Sequence, residues 1–534
     1  MPATGRWFTE TGIALPLLGW ALFATPAPAP AAETAADVPP AREVATRALA
    51  APAPATATAT ATATARATAS GSSTATPAAT VEAGLRQVLD QALAANLELR
   101  AGQAGVAQRV AALDQARARY LPVLDFDARY SVADGGRTIE FPVGDLLNPV
   151  YATLDQLLVQ SGQPAQFPRV KNEEIRLLLP QEQNTRLVLA QPVYDPRLGP
   201  TVEGTRQQLN RAEADLGGLR ARVIRDTKQA YYEWLAAQQQ LAVLDATLEL
   251  ARSNLAANDS LYRNGKVTRD FVYRAEADLL EIEQQRLAAA SRVTIAQSYV
   301  NLLRNQPLEA QIPGAVIDGA TVARFRERLV GRIAGRRLDA PALGDVATGQ
   351  RAEIQSLDAA IAGSLAQQDL ARAAFKPALA VGAEAGIQGE DYGFGPDERY
   401  VLASVVLRWN TFRGGADQAA LAEARALTDE LRATRDLAEQ QVRLQVQRAI
   451  EQLSVAEASL STAEKRAEAA TAAFRITARK RDLGQVNQTD FIDARKTQTD
   501  ADLNLNRVRT EFLARIAELE FAIGDRRAAG EELQ

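Results

Sequence analysis

The sequence predicts a mostly α-helical protein with four β-strands of the length and patterning of a transmembrane β-barrel wall or of a half-buried soluble sheet, organised as a tandem repeat. Three observations carry that expectation. Apolar and small residues recur at alternating spacings of three and four along two very long segments. Four other segments, each of about ten residues, alternate with period two instead. The order of these elements then occurs twice, and each copy contains the same glycine turn, YRNGKVTRDF at 262–271 and RDLGQVNQTDF at 481–491.

The N-terminus comes first. Arg6 precedes an apolar run from Gly12 to Ala24, and Ala29-Pro30-Ala31 suits cleavage before Ala32. That length and order match a secretory signal peptide over residues 1–31. Residues 32–80 are almost wholly Ala, Thr and Pro. Such a stretch buries too little apolar surface to offset its ordering entropy, so a disordered tether is expected. The 534 residues include no cysteine and no histidine. Disulfides, thiolate nucleophiles, imidazole bases and most zinc or copper sites are thereby removed. No catalytic residue, cofactor or metal is expected. A net charge of −5 gives no electrostatic case for a nucleic-acid partner.

The first structural repeat is expected at 81–305. A helix near Val81–Tyr120 leads into the strand YLPVLDFDARYSV, which places Leu124, Phe126, Ala128 and Tyr130 on one face and Asp125, Asp127 and Arg129 on the other. A long loop and a weaker strand, TRLVLAQPVYD, follow. A helix from about Thr201 to Asn264 then carries the seam Val223, Ala230, Trp234, Ala237, Leu241, Leu244, Leu248 and Ala251. After Gly265 a second helix runs to about Arg304. Residues 306–349 form a connector near mid-height. The second repeat, 350–524, has the strands KPALAVGAEAGI and YVLASVVLRWNTF, the seam Val446, Ala449, Leu453, Ala456 and Leu460, and the turn at Gly484. Residues 525–534 remain as a C-terminal tail. Pro122 aligns with Pro377, Tyr194 with Phe412, Gly265 with Gly484 and Asp270 with Asp490. One insertion, in the first strand–strand loop, accounts for the change of spacing, so the chain is a tandem duplication.

Lengths constrain the geometry. A helix of about 64 residues spans ~95 Å, and two half-length helices fit beside it end to end. Strands of this length with one apolar face cross a bilayer when tilted; a half-buried soluble sheet has the same pattern. Four strands cannot close a barrel, so several copies must pool theirs. Inside the insertion, Leu146, Leu147, Val150, Leu154 and Leu158 follow Asp145 at mostly helical spacing. Either a short amphipathic helix or a mobile surface loop fits that stretch.

With this ordered set in place, and with the strand-to-helix junctions AQPVYDPRLGP and LRWNTFRGG, the chain resembles the TolC family of outer-membrane efflux and secretion channels over about 81–524. The resemblance implies a homotrimer. Each protomer would give four strands to a twelve-stranded barrel in the outer membrane, continued by a long α-helical barrel in the periplasm. It implies a passive exit duct of a tripartite efflux or type I secretion system, docked to a periplasmic adaptor and an inner-membrane pump, and not an enzyme. A non-channel coiled-coil structural protein, periplasmic or secreted, is the alternative. The tether, the large first loop and the missing lipid-anchor cysteine depart from the family.

The two turns are the candidate site. Gly265 and Gly484 each end a helix as a left-handed residue would, at the end opposite the strands. In a duct that end is the periplasmic mouth, where an adaptor docks. Asp490 and Asp493 are three apart and share a helix face. By the resemblance they match the family's pore-gate aspartates, as rings of carboxylates in the trimer. With Asn487 as N-cap, Asp490 also suits the third helical position, and both roles can hold together. The family's latch arginine falls at Val486, so that bond cannot be copied. Asp270 keeps the acidic latch position. Arg481, standing where the family has a tyrosine, is either its cationic partner or a solvated arginine.

Overall fold

A computed structural model describes residues 80–333 and 339–525. The expected signal peptide, the tether up to residue 79 and the tail from residue 526 lie outside the described residues.

The expected single helix at 81–120 is two, α1 (Val81–Ala95) and α2 (Leu97–Ala118). Asn96 breaks it with ψ at 129° and caps α2, accepting from the Glu98 and Leu99 amides at 2.9 and 3.1 Å. After α2 come β1 (Val123–Val132), β2 (Thr138–Phe141), α3 (Val143–Gln160), β3 (Glu173–Arg176) and β4 (Gln181–Tyr194). Next are the long helix α4 (Leu198–Arg263), then α5 (Arg269–Leu303). The middle of the chain holds α6 (Gly319–Ile333) and α7 (Ala340–Gln350). The chain continues with α8 (Ala352–Ala373), β5 (Ala378–Gly389), β6 (Arg399–Arg408), α9 (Ala416–Asp482) and α10 (Gln488–Ala522). The insertion thus contains a helix, and also the hairpin β2–β3, which the sequence reading did not foresee.

Half-length helices meet end to end beside each long one. The Asn96 amide donates to the Leu303 carbonyl, at the end of α5, at 3.1 Å. In the second repeat Arg351 does the same, reaching the Phe521 and Ala522 carbonyls at the end of α10 at 3.4 and 3.2 Å. Both contacts satisfy carbonyls that a helix C-terminus leaves without partners. Arg351 stands to Asn96 at the spacing that separates Pro377 from Pro122. In consequence α7, inside the expected connector, takes the place in the second set that α1 has in the first.

The main sheet is antiparallel, in the order β1-β4-β5-β6. Its register places Phe126 opposite Leu187, Leu187 opposite Ala385 and Ala385 opposite Val401. Residues directly opposite share a face, so the apolar sides of all four strands coincide. Phe126 and Val405 on that side are 67% and 71% exposed. Asp127 and Glu384 share the other side, where Arg186 bridges them at 3.4 and 3.1 Å. Aromatic residues mark both ends, Trp409 and Phe412 towards the helices, Tyr130 stacked on Tyr392 away from them. That is the girdle pattern of an outer-membrane wall.

The helices copy the strand order. Near the sheet the row is α2-α4-α8-α9, and farther away it is α5-α4-α10-α9. The alternating seams are where they pack. Val223, Ala230, Trp234, Ala237, Leu244, Leu248 and Ala251 of α4 are buried, as are Val446, Ala449, Leu453, Ala456 and Leu460 of α9. At mid-height Tyr231, Tyr232 and Leu235 join Ile317 and Val322 of the connector and Phe512 of α10 in the largest core. Tyr231 donates to the Pro313 carbonyl at 2.9 Å. A Cβ on Gly84 would collide with the Tyr231 hydroxyl, so only glycine lets α1 approach there.

Candidate functional site

Both turns close on the same pair of backbone bonds. Gly265 has φ +67°, its amide donates to the Tyr262 carbonyl at 2.9 Å, and the Lys266 amide donates to Leu261 at 2.9 Å. Gly484 has φ +71°, with Gly484 to Arg481 and Gln485 to Lys480 both at 2.8 Å. This double closure is the Schellman motif. An added Cβ would meet no atom at either glycine; the positive φ alone requires the residue.

The residue that precedes the next helix lies three positions after each glycine, but the two helices do not begin in the same way. Asn487 caps α10, its side-chain oxygen accepting from the Asp490 amide at 2.8 Å. Thr268 precedes α5 without a side-chain cap bond, and its hydroxyl donates to the Asp270 carboxylate instead. Asp490 is therefore the third residue of its helix and Asp270 the second. The expected equivalence of the two is off by one, because NQTD carries one residue more than TRD between cap and acid. Asp490 and Asp493 are both exposed, while Phe491 and Arg495 of the same turn are buried. The two aspartates thus stand together on the outward face of α10.

Arg481 lies with its guanidinium 3.9 Å from the centre of the Phe491 ring and reaches Asn254 of α4 at 3.5 Å. Asp270 opens α5 and Arg481 lies in the last turn of α9, the two outer members of the row α5-α4-α10-α9. The fold of one protomer sets them on opposite edges.

The charged contact that the sequence reading missed is Asp278 with Arg495. Arg495 of α10 reaches Asp278 of α5 at 2.5 Å, with side chains 5% and 10% exposed. Burial holds the Asp278 carboxyl above its ordinary range, although Arg495 works in the opposite direction. Among the described residues, the second Asp278 oxygen and the Arg495 Nε and Nη1 have no hydrogen-bond partner. Arg274 to Thr489 at 3.1 Å and Lys496 to Glu281 at 3.2 Å flank the pair. A sequence signal did exist: Arg495 follows Phe491 by four on the buried stripe of α10, a seam position that an unpaired charge does not occupy.

Comparisons with known proteins agree with this architecture. The chain matches the family described as outer membrane efflux protein over residues 181–304 and 343–525, more than half its length. No curated protein matches it significantly. Among solved structures it is similar to the outer membrane channel CmeC of Campylobacter jejuni, at 16% identity and a TM-score of 0.64, over 83% of this chain and 85% of that one. It is similar to VceC of Vibrio cholerae, at 16% identity and 0.62, over 82% and 96%. It is also similar to the open state of MtrE of Neisseria gonorrhoeae, at 17% and 0.62, over 82% and 88%. At these identities the structural likeness speaks to the fold.

Proposed function

Because the chain belongs to the outer membrane efflux protein family, we propose that three copies close into one exit duct through the outer membrane. The observation that carries this reading is a protomer with two unfinished edges. The strands β1 and β6 end the sheet, and α5 and α9 end the helical row. Tyr273, Leu280 and Leu287 form an exposed heptad stripe on α5, and Leu437 and Leu444, also seven apart, are exposed on α9 nearer the sheet. Heptad stripes facing water call for partner helices. A head-to-tail ring joins unlike edges and closes after a fixed number of copies. Three give the twelve strands of a barrel wide enough for a channel.

The duct is passive, and its cargo is chosen by the inner-membrane pump and the periplasmic adaptor that dock on the helix turns at Gly265 and Gly484. Asp490 and Asp493 form the gate. Their exposure on one face of α10 supports two stacked carboxylate rings at the mouth, which attract cations. Asp270 and Arg481 form a latch between subunits, since the α5 edge of one protomer meets the α9 edge of the next. The family consists of channels rather than enzymes. Membrane fractionation tests the reading: the protein is expected in outer membranes as a heat-labile trimer on gels. A monomer in the soluble fraction would sink it.

A further inference from the structure

The insertion between β1 and β4 is a folded module turned inside out. The polar side of α3 faces the module's own chain. Asn148 exchanges two hydrogen bonds with the Val170 backbone, both at 2.9 Å. Asn172 accepts from the Asp145 amide at 3.2 Å and donates to the carboxylates of Asp145 and Glu140 at 3.0 and 2.9 Å. Asp155 accepts from the Gln166 and Phe167 amides at 2.9 and 3.2 Å, and Tyr151 stacks on Phe167. These bonds fix the helix by one side. Its other side carries Leu146, Leu147, Val150, Leu154 and Leu157, all exposed. An amphipathic helix ordinarily buries its apolar stripe against its own domain; here that stripe is held outward.

We propose that the apolar face of α3 packs against a neighbouring copy of this chain at the outer mouth of the duct. The inference rests on the trimer reading above. Two observations select a second copy over the lipid surface. The module grows from the outer end of β1, the free sheet edge at which the next subunit joins, so the two contacts are continuous. And acids outnumber bases seven to four between Asp134 and Glu182, the wrong sign for a phosphate-rich outer leaflet. The corresponding loop of the second repeat, between Gly389 and Arg399, holds no helix. Each subunit therefore supplies one such face.

The test places photoreactive benzoylphenylalanine at Leu154, or at Val150 as an independent site, in the full-length protein in native outer membranes. Gln156, on the opposite side of α3, is the control position. Irradiation is expected to give a covalent two-chain product from Leu154 and Val150, several-fold above that from Gln156. An adduct with lipopolysaccharide only, or no adduct while the heat-labile trimer band is present, would overturn the inference and leave the trimer standing. Absence of the trimer band in the unsubstituted protein would instead strike the subunit reading, and this contact with it.

Discussion

The turn at Gly265 and the turn at Gly484 close on the same two backbone bonds, yet the helices after them begin differently. In the first repeat the Thr268 hydroxyl holds the Asp270 carboxylate. In the second the Asn487 side chain takes the Asp490 amide and leaves the carboxylate unengaged by the cap. The same division runs through both repeats. Positive φ at the turn, an end-to-end helix joint and an alternating seam recur because helix geometry imposes them. Side chains diverge at the two ends of the repeats: the α3 module beyond the strands at one, the acids after the glycine turns at the other. Duplication kept the frame and freed the ends.

The sharpest strain on that comparison is the Asp278–Arg495 pair, which ties α5 of one repeat to α10 of the other. Arg495→Ala leaves a buried carboxylate without its partner and is expected to cost about 3 kcal/mol. Lys496→Ala, on the exposed neighbouring pair, is expected to cost less than ~1 kcal/mol. Thermal unfolding in detergent measures both. Joint replacement by Asp278→Leu and Arg495→Leu should recover most of the loss. Equal, small effects of the two alanine changes would mean that the pair does not bind the repeats together.

Next in size is the membrane face. Phe126→Arg in the first repeat and Val405→Arg in the second should each cost about 2–4 kcal/mol near the bilayer midplane. Asp125→Arg, on the opposite face, should be mild. Refolding into lipid vesicles under denaturant gives the values. Asp127 and Glu384, on that same face, hold Arg186, so arginine at either sets like charges together and should cost more than at Asp125. A large loss in only one repeat would break the equivalence of the two strand pairs.

The capping difference is smaller. Asn487→Ala should cost about 1 kcal/mol and Thr268→Ala only a few tenths, since Thr268 makes no side-chain cap bond. Hydrogen exchange at the first turns of α10 and α5 resolves the two. Smallest is a pH effect confined to one joint. The hydrogen bond from Arg351 holds the Glu353 carboxyl below its ordinary 4.5. A depressed acid contributes stability that is present above its ordinary value and lost as pH falls through the depressed one. The α8–α10 joint should therefore loosen in acid while the joint at Asn96, made by an amide, does not. Glu353 is half exposed, so the loss should be a fraction of 1 kcal/mol, read as faster exchange of the first α8 amides. Glu353→Gln should abolish the difference.

Much of the frame was legible in the sequence. The seam of α9 was read almost residue by residue, because period in a long helix accumulates over many turns. The apolar faces of β1, β5 and β6 were legible for the same reason, with period two, whereas β4 is apolar on both sides and takes its face from the register with β1 and β5. What escaped was local or tertiary. Asn96 looked like one polar residue in a helical run; its side chain caps α2 locally and also meets the Leu303 carbonyl, a partner distant in sequence. The Asp270–Asp490 alignment followed the shared Asp-Phe letters, whereas the N-caps fix the true register. Arg495 and Asp278 met only once two helices had been docked. The hairpin β2–β3 has strands of four residues each, too short for an alternation to register.

If the second repeat supplies the gate of a cation-attracting mouth, single-channel recording in planar bilayers will show it. Asp490→Ala combined with Asp493→Ala is expected to lower cation preference and weaken block by multivalent cations, while Asp270→Ala leaves selectivity unchanged and raises resting conductance. Wild-type selectivity and block in the double mutant would contradict the account, because the two carboxylates would then lie outside the conducting path.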